Sequence, residues 1–164
     1  MPKIKIRTAM VEDANLITQF IKNMVIEMEN YGGYSVNGSP DVWVTMESEI
    51  RENITQRKSI YLVAIDSSIK TTVIGVAAGY LEQLEHIFNP TKRLHISAIY
   101  TIPHMRRKGV AQKLLEHLLR WGKKMNASEV DLNVLIDNPA RLLYEKFGFE
   151  SHEISMIKTL NTKI

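Results

Sequence analysis

The chain has 164 residues, 45% of them apolar and 24% charged, with a formal net charge of +3 at pH 7. That composition suits one globular domain over residues 1–164 with a sizeable core, and argues against a disordered chain or a dedicated nucleic-acid binder, which concentrates more positive charge on one face. With no cysteine, a disulfide framework, a thiolate metal site and a cysteine nucleophile are excluded. MPKIKIRTA carries no apolar signal core, and the longest apolar run, VIGVAAGYL, is too short to span a bilayer. A soluble, cytoplasmic protein without membrane contacts is expected.

In chain order, KIKIRTA alternates charged and β-branched residues and predicts a short first strand. Ala14, Ile17, Ile21, Met24, Val25 and Met28 then fall at helical spacing, with Glu12 and Asp13 suited to the helix start. YGGYSVNGSPD breaks the pattern, and a second helix is expected from Ser39 or Asp41 to about Gln56. SIYLVAID and TTVIGVAAGYLEQL read as a hairpin around the turn SSIK. The small residues Gly75, Ala77, Ala78 and Gly79 in its second strand suit a close approach to the backbone. HIFNPTKR is a polar loop, and LHISAIYTI a further strand stopped by Pro103. Val110, Leu114, Leu115, Leu118, Leu119 and Trp121 form an amphipathic stripe to about Met125. EVDLNVLI is a strand of buried type, NPARLLYEKF a short helix ended by Gly148, and FESHEISMIKTL a last strand. The order β-α-α-β-β-β-α-β-α-β, with a crossover between strands 94–102 and 129–136, predicts an α/β (α+β) architecture. Its sheet is mixed and mostly antiparallel, with one parallel pair and helices on both faces.

The segment HMRRKGVAQKLL joins a strand to a helix through a basic turn. The first N–H groups of a helix have no intrahelical partner, and Gly109 lets an anion approach them closely. Arg106, Arg107 and Lys108 add positive charge at the same point. This is a phosphate cradle in kind, although neither the Walker spacing nor G-x-G-x-x-G is present. Taken alone it also reads as a solvated basic turn that caps a core helix.

A second segment strengthens the first reading. LHISAIYTIPHMRRKGVAQKLL resembles the acetyl-CoA-binding motif of the GNAT N-acetyltransferase superfamily, with Arg106, Gly109 and Ala111 at the defining positions of R-x-x-G-x-A. DNPARLLYEKFGFE resembles the other hallmark of that family, and IRTAMVEDANLI its usual beginning. The resemblance implies the GNAT fold, with the parallel pair splayed to hold coenzyme A. It implies that backbone amides from about Arg107 through Lys108, Gly109, Val110 and Ala111 to Gln112 hold the pyrophosphate. Ile99, Tyr100 and Thr101 would pair with the pantetheine arm, and an N–H near Thr101 would polarise the acetyl carbonyl. Arg106 would serve packing or orientation as much as charge. Tyr144 would return a proton to the departing thiolate; a core aromatic is the other reading of that residue. The family's asparagine commonly lies seven residues before this tyrosine. Here Asp137 occupies that place and Asn138 the next, so either could face the cofactor.

The activity implied is acetyl transfer from acetyl-CoA, as co-substrate and without metal, to a primary amine of a small molecule or a protein by direct attack. A non-catalytic acyl-CoA-binding domain of the same fold is the alternative. Some relatives that acetylate protein amino termini carry a glutamate base where Asn133 stands here. The remaining candidates for the base are Glu82, Glu85, His95, Glu27, Glu29 or a chain of waters. Tyr31, Tyr34 and Trp43 could wall an acceptor cleft; a surface loop pinned by aromatics reads equally well. His86, His95, His104, His117 and His152 show no metal-ligand spacing. A nucleic-acid partner is disfavoured because no aromatic set accompanies the basic cluster. Members of the family are often homodimers, and nothing in the sequence specifies an interface.

Overall fold

The alternation of Ile4 and Ile6 with Lys5 and Arg7 forms β1, Ile4–Thr8, at one edge of a five-stranded sheet. The structure, a computed structural model, describes residues 2–57, 59–68, 72–85, 87, 92–158 and 160. A short 3₁₀ turn leads into α1, Ala14–Met28, and α2 follows at Pro40–Gln56 with proline at its first position. The sheet continues through β2 (Ser59–Asp66), β3 (Thr72–Gln83), β4 (Lys92–Thr101) and β5 (Glu129–Leu132). Between the last two runs α3, Val110–Lys124; α4, Arg141–Lys146, comes after them. The spatial order is β1-β2-β3-β4-β5, antiparallel except for the parallel pair β4–β5. This is the mixed sheet with one crossover that the element order predicts.

Each face of the sheet has its own core. Leu62, Ala64, Ile74, Ala77, Leu94 and Ile96 pack against the α3 stripe, where Leu114, Leu115 and Leu118 are fully buried. On the other face Val63, Val76 and Tyr100 pack against Ala14, Ile17 and Phe20 of α1 and Ile50 of α2. Gly75 sits where α3 comes closest. A Cβ there would lie 2.8 Å from the Tyr100 carbonyl oxygen and 3.0 Å from Val110 Cγ1. The close approach that the small residues of β3 suggest is therefore made at Gly75 by the protein's own β4 and α3.

Two strands differ from expectation. The strand expected over 129–136 pairs only as far as Leu132. At Ser97 an extra residue enters β4, so that Ala78 faces Ala98 while Gly79 faces Ile96. Such a bulge bends its strand, and the ladder to β5 ends immediately before it, at Ile96–Leu132. The last strand expected over 149–160 is not formed among its described residues, which run irregularly with Ile154 and Met156 about nine-tenths exposed. Strand propensity reflects packing against cross-strand neighbours; these side chains find none and their backbone stays with solvent. The turn SSIK and the loop HIFNPTKR lie partly outside the described residues (69–70, 86 and 88–91), while Lys92 and Arg93 already belong to β4.

Candidate functional site

Between β4 and α3 the chain makes a 3₁₀ turn at Pro103–Met105 and then a loop with two left-handed residues, Arg107 (φ 58°) and Gly109 (φ 81°). The helix ladder begins only at the Lys113 N–H, which donates to the Gly109 carbonyl at 3.1 Å. Among the described residues the N–H groups of Arg107, Lys108, Gly109, Val110, Ala111 and Gln112 have no backbone acceptor. Six consecutive free donors, curved by two left-handed residues at the positive end of a 15-residue helix, form an anion nest. Nothing lies within 4 Å of the Cβ position at Gly109, so the mouth of the nest is open.

The three basic side chains are used differently. Arg106 faces away from the nest: its Nη1 and Nη2 donate to Glu27 Oε1 and Oε2 at 2.6 Å each, and Nε donates to the Thr101 carbonyl at 3.0 Å. Its guanidinium also lies over the Tyr100 ring, 5.5 Å from the centroid. The Glu27 hydrogen bonds push the Arg106 pKa up. Arg106 thus ties α1 to the end of β4, which fits an orienting role, and engages both Glu27 oxygens. Lys108 Nζ lies 3.9 Å from Met105 Sδ, and the Gln112 side chain donates to Glu116 along the helix. Arg107 is exposed at the nest.

Beyond Ile96 the side of β4 that faces β5 is open. The Ile102 N–H donates to the Ile74 carbonyl on β3. Alternate residues of a strand direct their amides to the same side, so Tyr100 is turned to β3 while Ile99 and Thr101 face the gap. The expected trio is thereby narrowed. Tyr100 places its ring edge-on to Phe20 at 5.8 Å. Thr101 keeps a free N–H, and its buried hydroxyl has no hydrogen-bond partner among the described residues.

On the α3 side, Tyr144 projects from α4 beside Leu143 and Phe147, edge-on to Phe149 with ring centroids 5.9 Å apart. Burial alone pushes its phenol above the usual tyrosine pKa. Asn138 uses its side-chain oxygen locally, accepting the Ala140 N–H at 2.9 Å in the turn before α4; Asp137 is exposed beside it. The one-residue offset in the sequence thus coincides with an asparagine spent on its own turn.

On the opposite face the base candidates separate. Glu29 accepts the Val36 N–H at 2.6 Å and pins the loop after α1. Tyr34 stands about three-quarters exposed, whereas Trp43 is partly buried under Lys22 Nζ, 5.2 Å from its ring. Glu82 is exposed at the end of β3 in register with Arg93, and Glu85 lies beyond the strand. His95 differs from all of these. Its Nδ1 lies 3.0 Å from Asp131 Oδ1 across the parallel pair, and its ring contacts Tyr80 at 5.1 Å. Asp131 is a partner that the sequence reading did not name; the alternation of Glu129 and Asp131 with the apolar Val130 and Leu132 in β5 is the signal that places it on the polar face. Among the described residues no group of three or more His, Asp or Glu side chains could hold a metal, and no helix is long and apolar enough to cross a membrane.

Comparison with known proteins agrees with this arrangement. A model of the acetyltransferase (GNAT) family matches residues 28–149. The human "Cysteine-rich protein 2-binding protein" is 41% identical over 61 residues, 36% of this chain and 7% of that protein. An "N-alpha-acetyltransferase" of Sulfolobus acidocaldarius is 30% identical over 103 residues, 62% of this chain and 60% of the relative. The chain thus matches less than two thirds of the length of either relative. A "predicted acetyltransferase with acetyl-CoA" from Clostridium acetobutylicum superposes with a TM-score of 0.76 at 18% identity, covering 95% of this chain and 96% of that one. At such identity the likeness is one of fold.

Proposed function

Because the chain belongs to the GNAT acetyltransferase family, we propose that it is an N-acetyltransferase that passes the acetyl group of acetyl-CoA directly to a primary amine of a small molecule or a protein. The observation that carries this reading is the run of six unpaired amides, Arg107 to Gln112, beside an unpaired stretch of β4. A diphosphate needs many donors in a small arc, and an amide-bearing arm needs a strand edge; here the two needs are met side by side. The orphaned Thr101 hydroxyl fits the same group, since a buried hydroxyl without a partner is costly unless a ligand completes it.

Acetyl-CoA, when bound, supplies an activated acetyl thioester. The nest amides hold its pyrophosphate, with Arg107 and Lys108 adding charge. The Thr101 N–H, nearer the nest, holds the pantetheine arm. The Ile99 N–H, nearer the apex, takes the place first expected for the Thr101 N–H and stabilises negative charge as it develops on the carbonyl oxygen. Tyr144 Oη keeps its proton at neutral pH, because burial raises the phenol, and donates it to the leaving sulfur. Asn138 contributes the turn that presents α4, and its Nδ2 is the part left free for a cofactor contact.

Thermal unfolding with and without acetyl-CoA tests the first half of this reading. Ligand at a hundred times its Kd adds about 2.7 kcal/mol to a protein that binds it only when folded. No shift at saturating acetyl-CoA would sink the proposal. Thiol release with spermidine, glucosamine 6-phosphate and an Ala-initiated peptide tests the second half; the peptide is included because the archaeal relative is an N-alpha-acetyltransferase. A stabilising shift without thiol release on any amine would leave an acyl-CoA-binding domain instead.

A further inference from the structure

We propose that His95 is the general base that deprotonates the acceptor amine, and that Asp131 positions it. The inference rests on the acetyl-transfer reading above and assigns that reaction its missing proton acceptor. Three observations carry it. The first is position. The β4–β5 ladder runs from Arg93–Glu129 through His95–Asp131 to Ile96–Leu132 and then stops. Beyond it the strands part, and the bulge at Ser97 lies at that point. His95 and Asp131 therefore form the last side-chain pair but one before the apex of a V whose mouth is the amide nest. An arm that enters from the nest along β4 ends its reactive group near this apex.

The second observation is the face. Ile96 and Leu94 point to α3, whereas His95 pairs in register with Tyr80 and lies on the face of the sheet that carries α1 and α2. The cofactor-side tyrosine, Tyr144, packs with the α3 core. A base and an acid on opposite faces of one gap suit an amine that attacks from one side while sulfur leaves from the other. Glu82, in register with Arg93, belongs to the same face as His95, as do Glu129 and Asp131 of β5. Three carboxylates against one arginine give this face a net negative charge, which draws a cationic amine.

The third observation is the hydrogen bond. A carboxylate only accepts, so the Asp131 contact at 3.0 Å requires the Nδ1 of His95 to carry the proton. The ring nitrogen left to act as a base is Nε2, and it has no partner among the described residues. Asp131 is itself held by Arg93 Nη1 at 3.3 Å. The imidazole is half-buried, with Tyr80 against its ring, so both its tautomer and its plane are set. The carboxylate candidates are arranged otherwise: Glu27 holds Arg106 through both oxygens, Glu29 holds the Val36 N–H, and Glu82 and Glu85 are exposed.

The balance of the reaction fits. An alkylammonium loses two protons on becoming an amide. His95 Nε2 takes the first, freeing the lone pair that forms the new C–N bond, and passes it to solvent. The second is released as the C–S bond breaks and replaces the proton that Tyr144 gives to the sulfur. The products are the amide, the free thiol of coenzyme A and one proton.

Two measurements test the assignment. In the free protein labelled with ¹⁵N-histidine, His95 is expected as the Nδ1–H tautomer, shifting towards Nε2–H in Asp131→Asn. An Nε2–H tautomer in the wild type would overturn the pairing without any reference to turnover. On whichever amine of the panel the wild type acetylates, His95→Ala is expected to lower kcat/KM about 100-fold at pH 7. The deficit should shrink as pH rises and solution supplies free amine, with Tyr80, Glu82, Arg93 and Glu129 as the charged or titratable neighbours common to every variant, and Asp131 shared by the wild type and the His95 variants. Asp131→Asn should cost less, and Asp131→Glu should recover part of it. Stabilisation by acetyl-CoA should remain in every variant, which shows that the fold and the nest survive; His95→Gln replaces His95→Ala if the latter fails that check. Wild-type kcat/KM with an unchanged pH profile in the His95 variant would overturn the proposal. Loss of acetyl-CoA stabilisation already in the wild type would count instead against the enzyme reading beneath it.

Discussion

The two faces of the sheet are built on different principles. The α3 face is closed: a helix whose Leu114, Leu115 and Leu118 are fully buried lies so near β3 that Gly75 has no room for a methyl group. The face carrying α1 and α2 is closed only where those helices reach. Towards the start of β4 it is open and polar, with Tyr80, Glu82, Arg93, His95, Glu129 and Asp131 on three adjacent strands. Rigid packing sets the free amides of the nest, because their placement depends on where α3 begins. A proton-transfer site needs charge and access to water, so it cannot be packed in the same way. The difference teaches that the amide nest sits on the fully buried packing of α3, while the face proposed to meet the acceptor is left polar.

Truncation offers the sharpest contrast between the faces. Leu114→Ala is expected to lower unfolding free energy by about 3 kcal/mol, and Tyr80→Ala, partly exposed on the other face, by about 1 kcal/mol or less. Equal losses in urea denaturation would dissolve the distinction. Next in size is Tyr144→Phe, expected to reduce kcat about 100-fold while stability and acetyl-CoA binding stay near wild type. Because burial raises this phenol, wild-type activity should hold to a higher pH than an ordinary tyrosine would allow; retention of full turnover in the variant would remove Tyr144 as the acid.

The contact that joins the α1 side to the nest is the Arg106–Glu27 pair. Its side chains are 38% and 30% exposed, so solvent screens it. A double-mutant cycle of Arg106→Ala and Glu27→Ala should give a coupling of about 1 kcal/mol, and no coupling would mean that the two regions are independent. The smallest effect concerns pH. Asp13 accepts from Arg7 at 2.6 and 2.9 Å and from the Met10 N–H at 2.7 Å, and the Arg7 hydrogen bonds hold its carboxyl below the usual range. A lowered folded-state pKa adds stability that is fully present above the unfolded value near 4 and is lost as pH falls through the lower one. Asp13→Asn should cost about 1 kcal/mol at pH 7, and its deficit should fade in acid; a deficit that persists at pH 2 would contradict the assignment.

The order of the first five strands and of the helices, the parallel crossover and the loop of free amides before α3 were legible because each depends on local pattern. Gly109 and the basic turn announce a helix start, the leucine stripe announces the face that α3 buries, and LYEKFGF announces a short helix with a glycine stop. The bulge at Ser97 carries no such signal; it is a mismatch between two strands and exists only once β3 and β4 are paired. The last strand failed for the related reason that alternating apolar residues near Ile154 need a neighbour before they can form a ladder.

What the sequence by itself determined was therefore the kind of machine, since periodicity, capping and motif spacing act over a few residues. The tertiary structure alone decided what individual side chains are for. Arg106 reads equally as charge beside a phosphate or as an orienting side chain until Glu27, 79 positions away, takes its guanidinium. His95 reads as one candidate among several until Asp131, 36 positions on, fixes its proton. Such roles depend on groups brought within about 3 Å by folding, and the order of residues along a chain does not encode that distance.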